Sequence, residues 1–255
     1  MARTAIITGA SSGIGKATAV ALADSGYDVG ITWHEDEAGL NGTVEEVRAT
    51  GRRVAVRHLD LVDPGAGPAV VDELTDELGH LDVLVNNAGG GHSAPFLDHD
   101  ADAWRHVLDV DLTGAFLCMQ AAARRMTRNR GGGRIIAVTS VHEHVPLAGS
   151  VAYCAAKGGL GLVVKVAALE LAEHAITVNA VAPGEISTKM TGQQDQDPAD
   201  NPRPGIPLGR PGHAGEIAHA IRWLASPEAS YVTGESFVVD GGLLLMAAQA
   251  NSMLA

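Results

Sequence analysis

Short apolar runs that alternate with longer helical patterns constrain the fold of this chain more than any other feature. Seven runs have the length and the Val- and Ile-rich character of buried strands: residues 5–8, 29–33, 54–59, 83–86, 135–139, 177–181 and 236–239. Helical spacing of apolar residues occurs between them, for example over residues 16–23, 104–126, 153–172 and 216–225. Because strand–helix alternation produces right-handed βαβ units, we expect one doubly wound α/β domain over residues 1–255, with about seven parallel strands and helices on both faces.

The composition narrows the functional class before any motif is considered. Of 255 residues, 46% are apolar and only 4% aromatic, which suits strands buried beneath helices. The formal charge of −12 argues against a nucleic-acid-binding face, which would be basic. The chain starts with a predicted strand rather than a signal peptide, and we expect no apolar run long enough to span a bilayer. Since Cys118 and Cys154 provide no disulfide framework, the features together predict a cytoplasmic protein without nucleic-acid or membrane partners.

One stretch, residues 185–213, departs from the alternation and is rich in Gln, Asp, Pro and Gly. Loops of this length inside a domain are usually functional lids or disordered inserts. This one follows the carboxyl end of a predicted strand, where parallel sheets bind their ligands. We therefore expect residues 185–213 to form a lid over a binding site.

The first predicted strand leads directly into a glycine-rich turn and then into a helix. The turn contains Gly9, Ser11, Ser12, Gly13, Ile14 and Gly15. A helix N-terminus presents free backbone N–H groups and a partial positive charge, which suits a pyrophosphate. Glycines let the backbone approach the phosphates without a Cβ atom in the way. An ordinary strand–helix turn is the alternative, but the position at the first βα junction favours a dinucleotide site.

Tyr153 and Lys157 are four residues apart and therefore share one face of a predicted helix. Reduction of a carbonyl group needs a proton donor at the developing alkoxide. A tyrosine hydroxyl, whose ordinary pKa is about 10, becomes an effective acid when a neighbouring ammonium group stabilises its phenolate. Ser140, after the predicted strand 135–139, can hydrogen-bond the substrate oxygen. The three residues form a candidate catalytic set, unless the helix carries Tyr and Lys by chance.

Five motifs, in this order, resemble those of the short-chain dehydrogenase/reductase family over essentially the whole chain. They are Thr-Gly-x-x-x-Gly-x-Gly at residues 8–15, Asn86-Asn87-Ala88-Gly89, Ser140, Tyr153-x-x-x-Lys157 and Pro183-Gly184. The resemblance implies a Rossmann-type fold. It also implies an NAD(P)-dependent oxidoreductase that moves a hydride between the nicotinamide and a ketone or secondary alcohol.

The resemblance further implies a role for each catalytic residue. Tyr153 would act as acid or base, Lys157 would lower the tyrosine pKa and bind the cofactor ribose, and Ser140 would orient the substrate. The chain departs from the family at Asp111, where the family carries an asparagine that bends the helix and holds a water linked to the lysine. Asp111 is either a fourth catalytic residue in that relay or a solvated helix residue, and the sequence leaves both possibilities open.

Cofactor contacts are also implied by the resemblance. They fall on Asp60, Leu61, Asn87, Ala88, Gly89, Tyr153, Lys157, Pro183, Gly184, Ile186 and Thr188. An acidic side chain after the second strand selects NAD by binding the ribose 2′-hydroxyl, but Trp33 stands where the family's aspartate would fall. Thr32 and His34 could hydrogen-bond a 2′-phosphate, which favours NADP(H), while the acidic residues 35–37 keep NAD(H) possible.

The substrate is a small-molecule carbonyl or alcohol whose identity the sequence leaves open. His142 and Glu143 follow Ser140 and are expected at the mouth of the substrate pocket, although they could form a solvated turn. Ser-Val-His-Glu is similar to bacterial glucose 1-dehydrogenases, which makes a sugar one candidate. An acyl thioester, as in the 3-oxoacyl-[acyl-carrier-protein] reductases, is another. A basic patch could hold the acidic carrier, although it is more typical of a solvated helix end: Arg124, Arg125, Arg128 and Arg130. The histidines and cysteines show no ligand spacing, so we expect no catalytic metal.

Assembly is predicted from the two long helices at residues 104–126 and 153–172, which carry many small residues. Small residues let helices approach closely, and the family pairs these helices across a twofold axis, which implies a homotetramer or homodimer. Residues 236–239 and 243–246 would make a second contact. A non-catalytic NAD(P)-binding sensor or scaffold is the alternative of a different class. Such members typically lose the tyrosine or the lysine, and this chain keeps both.

Overall fold

A parallel β-sheet forms the centre of the protein, whose structure is a computed structural model describing residues 2–128, 132–194 and 196–246. The strands are β1 (Thr4–Ile7), β2 (Asp28–Trp33), β3 (Val54–His58), β4 (Val83–Asn86), β5 (Gly133–Val138), β6 (Ile176–Pro183), β7 (Ile186–Ser187), β8 (Gly212–His213) and β9 (Ser236–Val239). β7 and β8 pair with each other, and the other seven form the main sheet in the order β3-β2-β1-β4-β5-β6-β9, with every pair parallel. The predicted fold class and strands are confirmed, with small differences in the boundaries.

Helices cover both faces of the sheet. Those in the described residues are α1 (Gly13–Asp24), α2 (Glu37–Ala49), α3 (Ala66–Leu78), α4 (Ala101–Leu108), α5 (Ala115–Met126), α6 (Val151–Leu171) and α7 (Ala214–Leu224). Apolar side chains of α1, α2 and α7 form one buried cluster with the sheet, and those of α3, α5 and α6 form another. Right-handed crossovers distribute helices in this way, because the chain progresses in opposite directions from the centre of the sheet.

β1 shows why the strands are apolar in unbroken runs. Ile6 belongs to the cluster of α3, α5 and α6, whereas Ala5 and Ile7 belong to the cluster of α1, α2 and α7. All three side chains are fully buried. Since successive residues of a strand point to opposite faces, a sheet covered on both faces needs apolar residues at every position.

The helix predicted over residues 104–126 is interrupted. The chain passes through α4, a π-helical segment (Asp109–Gly114) and α5. Short π-helical segments inside α-helices occur frequently at functional sites, since they redirect the side chains that follow. Asp111 lies within this segment and is fully buried, so the prediction of one continuous helix is corrected at the position where the chain departs from its family.

α6 corrects the expectation about apolar runs. With the 3₁₀ turn that follows it (Ala172–His174), it forms a 24-residue helical segment that is long and apolar enough, by length and composition alone, to cross a membrane. In this fold, Leu160 and Val164 pack in the core, while Leu162 and Leu169 are exposed on the opposite face. The helix is apolar because it combines a core face with a second, exposed apolar face.

Residues 185–213 fold over the carboxyl ends of the strands. They contain β7, β8 and two 3₁₀ turns, Lys189–Thr191 and Pro198–Asp200. A polar network holds them together, in which the Oε1 of Glu185 accepts from Gln193 Nε2 and from Arg203 Nε, each at 2.8 Å. In the described residues, this segment therefore has an ordered framework rather than the character of a flexible insert.

Candidate active site

A cavity of about 620 Å³ opens at the carboxyl ends of the parallel strands. It lies where the strand order reverses, since β2 flanks one side of β1 and β4 flanks the other. The two crossovers that start there leave the sheet on opposite faces, and the crevice between them is the usual ligand site of open α/β sheets. The position of the cavity therefore follows from the topology.

Most of the predicted site residues line this cavity. They are Gly9, Ser11, Ser12, Gly13, Ile14, His34, Asp60, Leu61, Asn87, Ala88, Gly89, Ser140, Tyr153, Lys157, Pro183, Gly184, Ile186 and Thr188. Six other predicted residues are not part of the lining: Gly15, Thr32, Trp33, Asp111, His142 and Glu143. The fold thus brings the glycine turn and the Ser140–Tyr153–Lys157 set to one space.

The N-terminus of α1 is free to receive an anion. Ser12 occupies the N-cap position, but its side chain makes no capping hydrogen bond, and the first turn contains no acidic residue. In contrast, the carboxylates of Asp36 and Asp100 cap the first backbone N–H groups of α2 and α4. Because uncapped N–H groups and the helix dipole favour a phosphate, the residues present fit a dinucleotide pyrophosphate.

The glycine turn depends on the close packing of Gly15 against the backbone of Gly9 and on hydrogen bonds from Asn87, which directly follows β4. A Cβ atom on Gly15 would lie 2.2 Å from the carbonyl oxygen of Gly9, so no other residue fits there without movement of the backbone. The Nδ2 of Asn87 donates to the carbonyl oxygens of Thr8 and Gly9, at 3.0 and 2.9 Å. These contacts explain why Gly15 and Asn87 matter for the shape of the turn even though Gly15 does not line the cavity.

Thr32 and Trp33 do not have the places that the sequence predicted. Thr32 is only 1% exposed, and its Oγ1 accepts a hydrogen bond from the backbone N–H of Gly9 at 3.1 Å. It therefore supports the glycine turn, and the expectation that it binds a 2′-phosphate is wrong. Trp33 packs against the core, with its ring edge-on to His58 at 5.0 Å between centroids.

Lys157 is held in the interior beside the cavity. Its Nζ lies 3.2 Å from Asp111 Oδ2 and donates to the carbonyl oxygen of Val138 at 3.4 Å. Burial by itself would lower the pKa of Lys157, because it penalises the charged form, but the nearby Asp111 carboxylate, Tyr153 and Glu143 outweigh it and raise the pKa. The lysine therefore remains an ammonium group next to the tyrosine.

Asp111 is not a solvated helix residue. It is fully buried, and one carboxylate oxygen accepts from the backbone N–H of Gly90 at 2.7 Å while the other faces Lys157. A side chain on Gly89 would approach both charged groups, with its Cβ atom 3.2 Å from Lys157 Nζ and 3.3 Å from the Asp111 carboxylate oxygens. Of the two possibilities that the sequence left open, the structure places Asp111 directly on the lysine.

Tyr153 and Ser140 face the cavity next to Lys157. Lys157 Nζ lies 5.5 Å from the centroid of the Tyr153 ring. Ser140 lies just after β5, at the N-cap of the 3₁₀ turn that follows, and its Oγ accepts a hydrogen bond from the backbone N–H of His142 at 3.2 Å. Because that bond uses an acceptor site of the hydroxyl, the Ser140 proton remains available for a ligand oxygen.

His142 and Glu143 are placed differently from each other. The His142 ring lies edge-on to Tyr153, at 6.4 Å between centroids, so it stays near the catalytic set. The Glu143 side chain is 5% exposed and bonds to Ser236 and His144, away from the cavity. The expectation that Glu143 contacts substrate at the pocket mouth is therefore wrong, because the 3₁₀ turn (Val141–Glu143) directs its side chain inward.

Sequence reasoning missed several lining residues. They include Gly90, His106, Val110, Lys189, Met190 and Thr191. Glu35 and Asp36, which the sequence left as the alternative that keeps NAD(H) possible, line the cavity as well. Two signals in the sequence could have found some of the missed residues. His106 and Val110 are four residues apart, a spacing that places them on one face of a predicted helix, just before Asp111. Lys189 directly follows Thr188, which was itself a predicted site residue. Nothing local in the sequence marks Gly90.

The end of β2 forms an acidic rim on the cavity. The two ring nitrogens of His34 lie 3.9 Å from Glu35 Oε1 and from Asp60 Oδ2. Asp36 Oδ1 accepts from the backbone N–H of Gly39, and its Oδ2 lies 3.4 Å from Lys189 Nζ across the cavity mouth. The Gly39 hydrogen bond and the Lys189 ammonium hold the pKa of the Asp36 carboxyl below its ordinary value.

Comparison with known proteins agrees with this fold. A family profile described as enoyl-(acyl carrier protein) reductase matches residues 9–244. The oxidoreductase YohF of Escherichia coli (strain K12) is 51% identical over 98% of this chain and 99% of its own length. Glucose 1-dehydrogenase 2 of Bacillus subtilis (strain 168) is 35% identical over 97% of this chain and 96% of its own length. The crystal structure of acetoin dehydrogenase YohF from Salmonella typhimurium matches with a TM-score of 0.90 and 49% identity, covering 96% of this chain and 97% of that one.

The chain belongs to the short-chain dehydrogenase/reductase family. Fold, cavity and relatives define an oxidoreductase that uses a nicotinamide cofactor and acts on secondary alcohols or ketones. The family resemblance derived from the sequence motifs is confirmed.

Proposed function

We propose that this enzyme interconverts a small α-hydroxy ketone of the acetoin type and the corresponding diketone, using Tyr153 as the acid–base residue. One observation carries the proposal: Tyr153 and Ser140 face one cavity beside the buried ammonium group of Lys157. The same cavity includes the uncapped N-terminus of α1, which leaves room for a pyrophosphate.

A nicotinamide cofactor held in the cavity would supply or accept the hydride, and the residues of this chain would transfer the proton. In reduction, the Tyr153 hydroxyl donates its proton to the carbonyl oxygen of the substrate. In oxidation, the Tyr153 phenolate would take the proton of the substrate hydroxyl, and the hydride on the carbon that bears this hydroxyl would pass to the oxidised nicotinamide. Ser140 donates a hydrogen bond to the substrate oxygen, since the His142 N–H occupies only an acceptor site of the hydroxyl and leaves its proton available.

Lys157 makes the tyrosine an effective acid. A positive charge beside the phenol favours the phenolate form. The Asp111 carboxylate, at 3.2 Å from Lys157 Nζ, keeps the ammonium charged but offsets part of its field at Tyr153. We infer that Asp111 sets the balance between these two effects and takes the place of the relay asparagine expected from the family.

Similarity and charge favour a small, diffusible substrate. Identity is higher to the acetoin dehydrogenase from Salmonella typhimurium, at 49%, than to the Bacillus subtilis glucose 1-dehydrogenase, at 35%. A carrier-bound thioester would need a free basic patch, but Arg125 is paired with Asp72 and Asp76, and the chain carries a net charge of −12. Arg130, part of the predicted patch, lies outside the described residues.

A substrate panel tests this proposal. Acetoin, diacetyl, glucose and a β-ketoacyl thioester would each be assayed with NADH or NADPH, or with the oxidised cofactors for the alcohols. We expect the highest kcat/KM with acetoin or diacetyl. Faster turnover of glucose or of the thioester would replace the proposed substrate. Cofactor binding without turnover of any carbonyl would instead support the sensor or scaffold class.

We further propose NAD(H) as the preferred cofactor, although the sequence favoured NADP(H). Thr32 is unavailable, and the remaining candidate, His34, stands between the carboxylates of Glu35 and Asp60. A doubly charged 2′-phosphate would be repelled there, whereas a 2′-hydroxyl could donate to these oxygens. A kcat/KM ratio for NADPH over NADH above one would contradict this proposal.

We also propose that the protein forms a homotetramer or homodimer in the cytoplasm. Several of the small residues first expected at the subunit contact, including Ala121, Ala122 and Ala156, are buried in the chain's own core. The exposed face of α6 instead offers larger side chains, with Leu162 64% and Leu169 81% exposed. Apolar surface of this kind favours a self-complementary contact about a twofold axis. Light scattering is expected to show a mass above that of one chain at micromolar concentration, and a monomer would contradict the assembly.

A further inference from the structure

Glu143 is a buried carboxylate to which the chemistry described above assigns no role beyond its contribution to the charge balance at Lys157. Its side chain is 5% exposed, and Oε2 makes no hydrogen bond within the described residues. Buried carboxylates are unfavourable unless compensated, and an apolar residue of similar size would pack with less penalty. Glu143 therefore calls for a reason beyond packing.

The backbone around Glu143 is connected directly to the catalytic serine. The N–H of Glu143 donates to the carbonyl oxygen of Ser140 at 2.9 Å, and the N–H of His142 donates to the Ser140 hydroxyl at 3.2 Å. A displacement of residue 143 is thus transmitted to both polar groups of Ser140 through one short 3₁₀ turn.

The side chain of Glu143 anchors this turn to two other elements. Ser236 of β9 donates its hydroxyl to Glu143 Oε1 at 2.5 Å, and His144 Nε2 lies 3.0 Å from the same oxygen. On the other side, α6 makes room for the carboxylate at Gly161, where a Cβ atom would lie 3.1 Å from Oε2. α6 is also the helix that carries Tyr153 and Lys157.

We propose that Glu143 is a positioning residue, which fixes the Ser140 turn between β9 and α6 so that the serine hydroxyl keeps its place relative to Tyr153. The inference rests on the proposed function of Ser140 and Tyr153. Misplacement of a catalytic group by about 1 Å can reduce the rate by about 10²-fold. The proposal therefore predicts an effect on turnover that exceeds any effect on cofactor binding.

Two glycines of α6 give a matched pair of variants. Gly161→Ala places a methyl group against Glu143 Oε2, whereas Gly158→Ala adds the same group one turn earlier, where nothing lies within 4 Å. Both changes favour the helix equally by propensity. We expect Gly161→Ala to lower kcat by about three- to tenfold, with the dissociation constant for the cofactor unchanged, and Gly158→Ala to keep the parent kcat.

Changes at Glu143 and Ser236 complete the test. Glu143→Gln keeps an oxygen that accepts from Ser236 and is expected to stay within about threefold of the parent kcat. Glu143→Ala removes the anchor and is expected to lose about tenfold or more. Ser236→Ala is expected to lie between them. Turnover is normalised to the number of cofactor sites measured by titration, so that unfolded protein does not lower the value. This normalisation separates positioning from a purely structural role.

Two outcomes overturn the proposal. One is a Glu143→Ala protein with the parent kcat per cofactor site. The other is equal kcat in Gly161→Ala and Gly158→Ala, which decides the question if Glu143→Ala does not fold. Failure of the proposed function is distinguishable from both outcomes. It shows as retained turnover in Tyr153→Phe, a measurement that involves none of the Glu143, Ser236 or glycine variants.

Discussion

The two ends of the cavity are built on different physical principles. At the catalytic end, the Lys157 and Asp111 side chains are 5% and 0% exposed and face each other at 3.2 Å. At the end of β2, the Asp36 and Lys189 side chains are 30% and 64% exposed, and His34 is 52% exposed. Each end thus contains an ion pair, which is buried in the protein at the catalytic end and exposed to solvent at the end of β2.

This difference determines how strongly each end responds to substitution. Electrostatic interactions are stronger where water is excluded, and removing one partner of a buried pair leaves an uncompensated charge. Exposed pairs contribute little, because solvent and salt screen them. We therefore expect the catalytic end to tolerate few changes and the end of β2 to allow adjustment of cofactor preference at little expense in stability.

The largest effect is expected from Tyr153→Phe. Loss of the hydroxyl removes the proton donor, and acid–base catalysis typically contributes about 10²–10⁴-fold. We expect kcat to fall by at least about two orders of magnitude, with cofactor binding retained in a fluorescence titration. Tyr231→Phe is the matched control, since Tyr231 is fully exposed. Near-parent turnover in Tyr153→Phe would remove the acid–base assignment.

Asp111 tests the buried pair directly. Asp111→Ala leaves the Lys157 ammonium buried without a counter-charge, which typically destabilises a protein by about 3–5 kcal/mol. Asp111→Asn keeps an oxygen for the Gly90 N–H and should fold nearly as well as the parent. We expect denaturant unfolding to rank the parent first, Asp111→Asn second and Asp111→Ala last. Equal stability of all three would contradict the importance of the pair.

The pH dependence of Asp111→Asn follows from the sign of the lost charge. Asp111 raises the pKa of Lys157, so its removal lowers that pKa. The same removal takes a negative charge away from the phenolate that forms on Tyr153, which favours the phenolate form. The limb of the kcat/KM profile for alcohol oxidation that depends on the phenolate should therefore move to lower pH, by about half a unit or more. An unchanged profile would show that this charge does not reach the tyrosine.

Cofactor preference tests the exposed end. Glu35→Arg replaces a carboxylate beside His34 with a cation, which should favour a 2′-phosphate. We expect the ratio of kcat/KM for NADPH over NADH to rise by about tenfold, equivalent to about 1.4 kcal/mol. Glu37→Arg is the control, because Glu37 does not line the cavity. An equal rise in both variants would indicate a general charge effect.

The smallest effect is expected from Lys189→Ala. It removes the pair with Asp36 that joins the 185–213 segment to α2, but exposed pairs typically contribute less than about 1 kcal/mol. We expect the cofactor dissociation constant to change by less than about fivefold, and the change to vanish at high salt. A larger, salt-insensitive effect would mean that the two ends of the cavity are less different than their exposure indicates.

Local sequence patterns determined the framework of this protein. The alternation of strand-length and helix-length apolar runs specified the parallel sheet, since period and length are properties of the chain itself. The glycines of residues 9–15 and the four-residue spacing of Tyr153 and Lys157 specified the turn and the catalytic helix face in the same way. Each of these signals is contained within one or two turns of backbone.

Only the tertiary structure decided where single side chains point at the ends of those elements. Thr32 follows an apolar run and looks available, but its hydroxyl is taken by Gly9, which is distant in sequence. The 3₁₀ turn directs Glu143 towards Ser236, and the π-helical segment directs Asp111 towards Lys157. Both side chains occupy space left by glycines. These directions depend on contacts between residues far apart in the chain. Periodicity and spacing specify elements, and their packing alone decides which polar groups become partners.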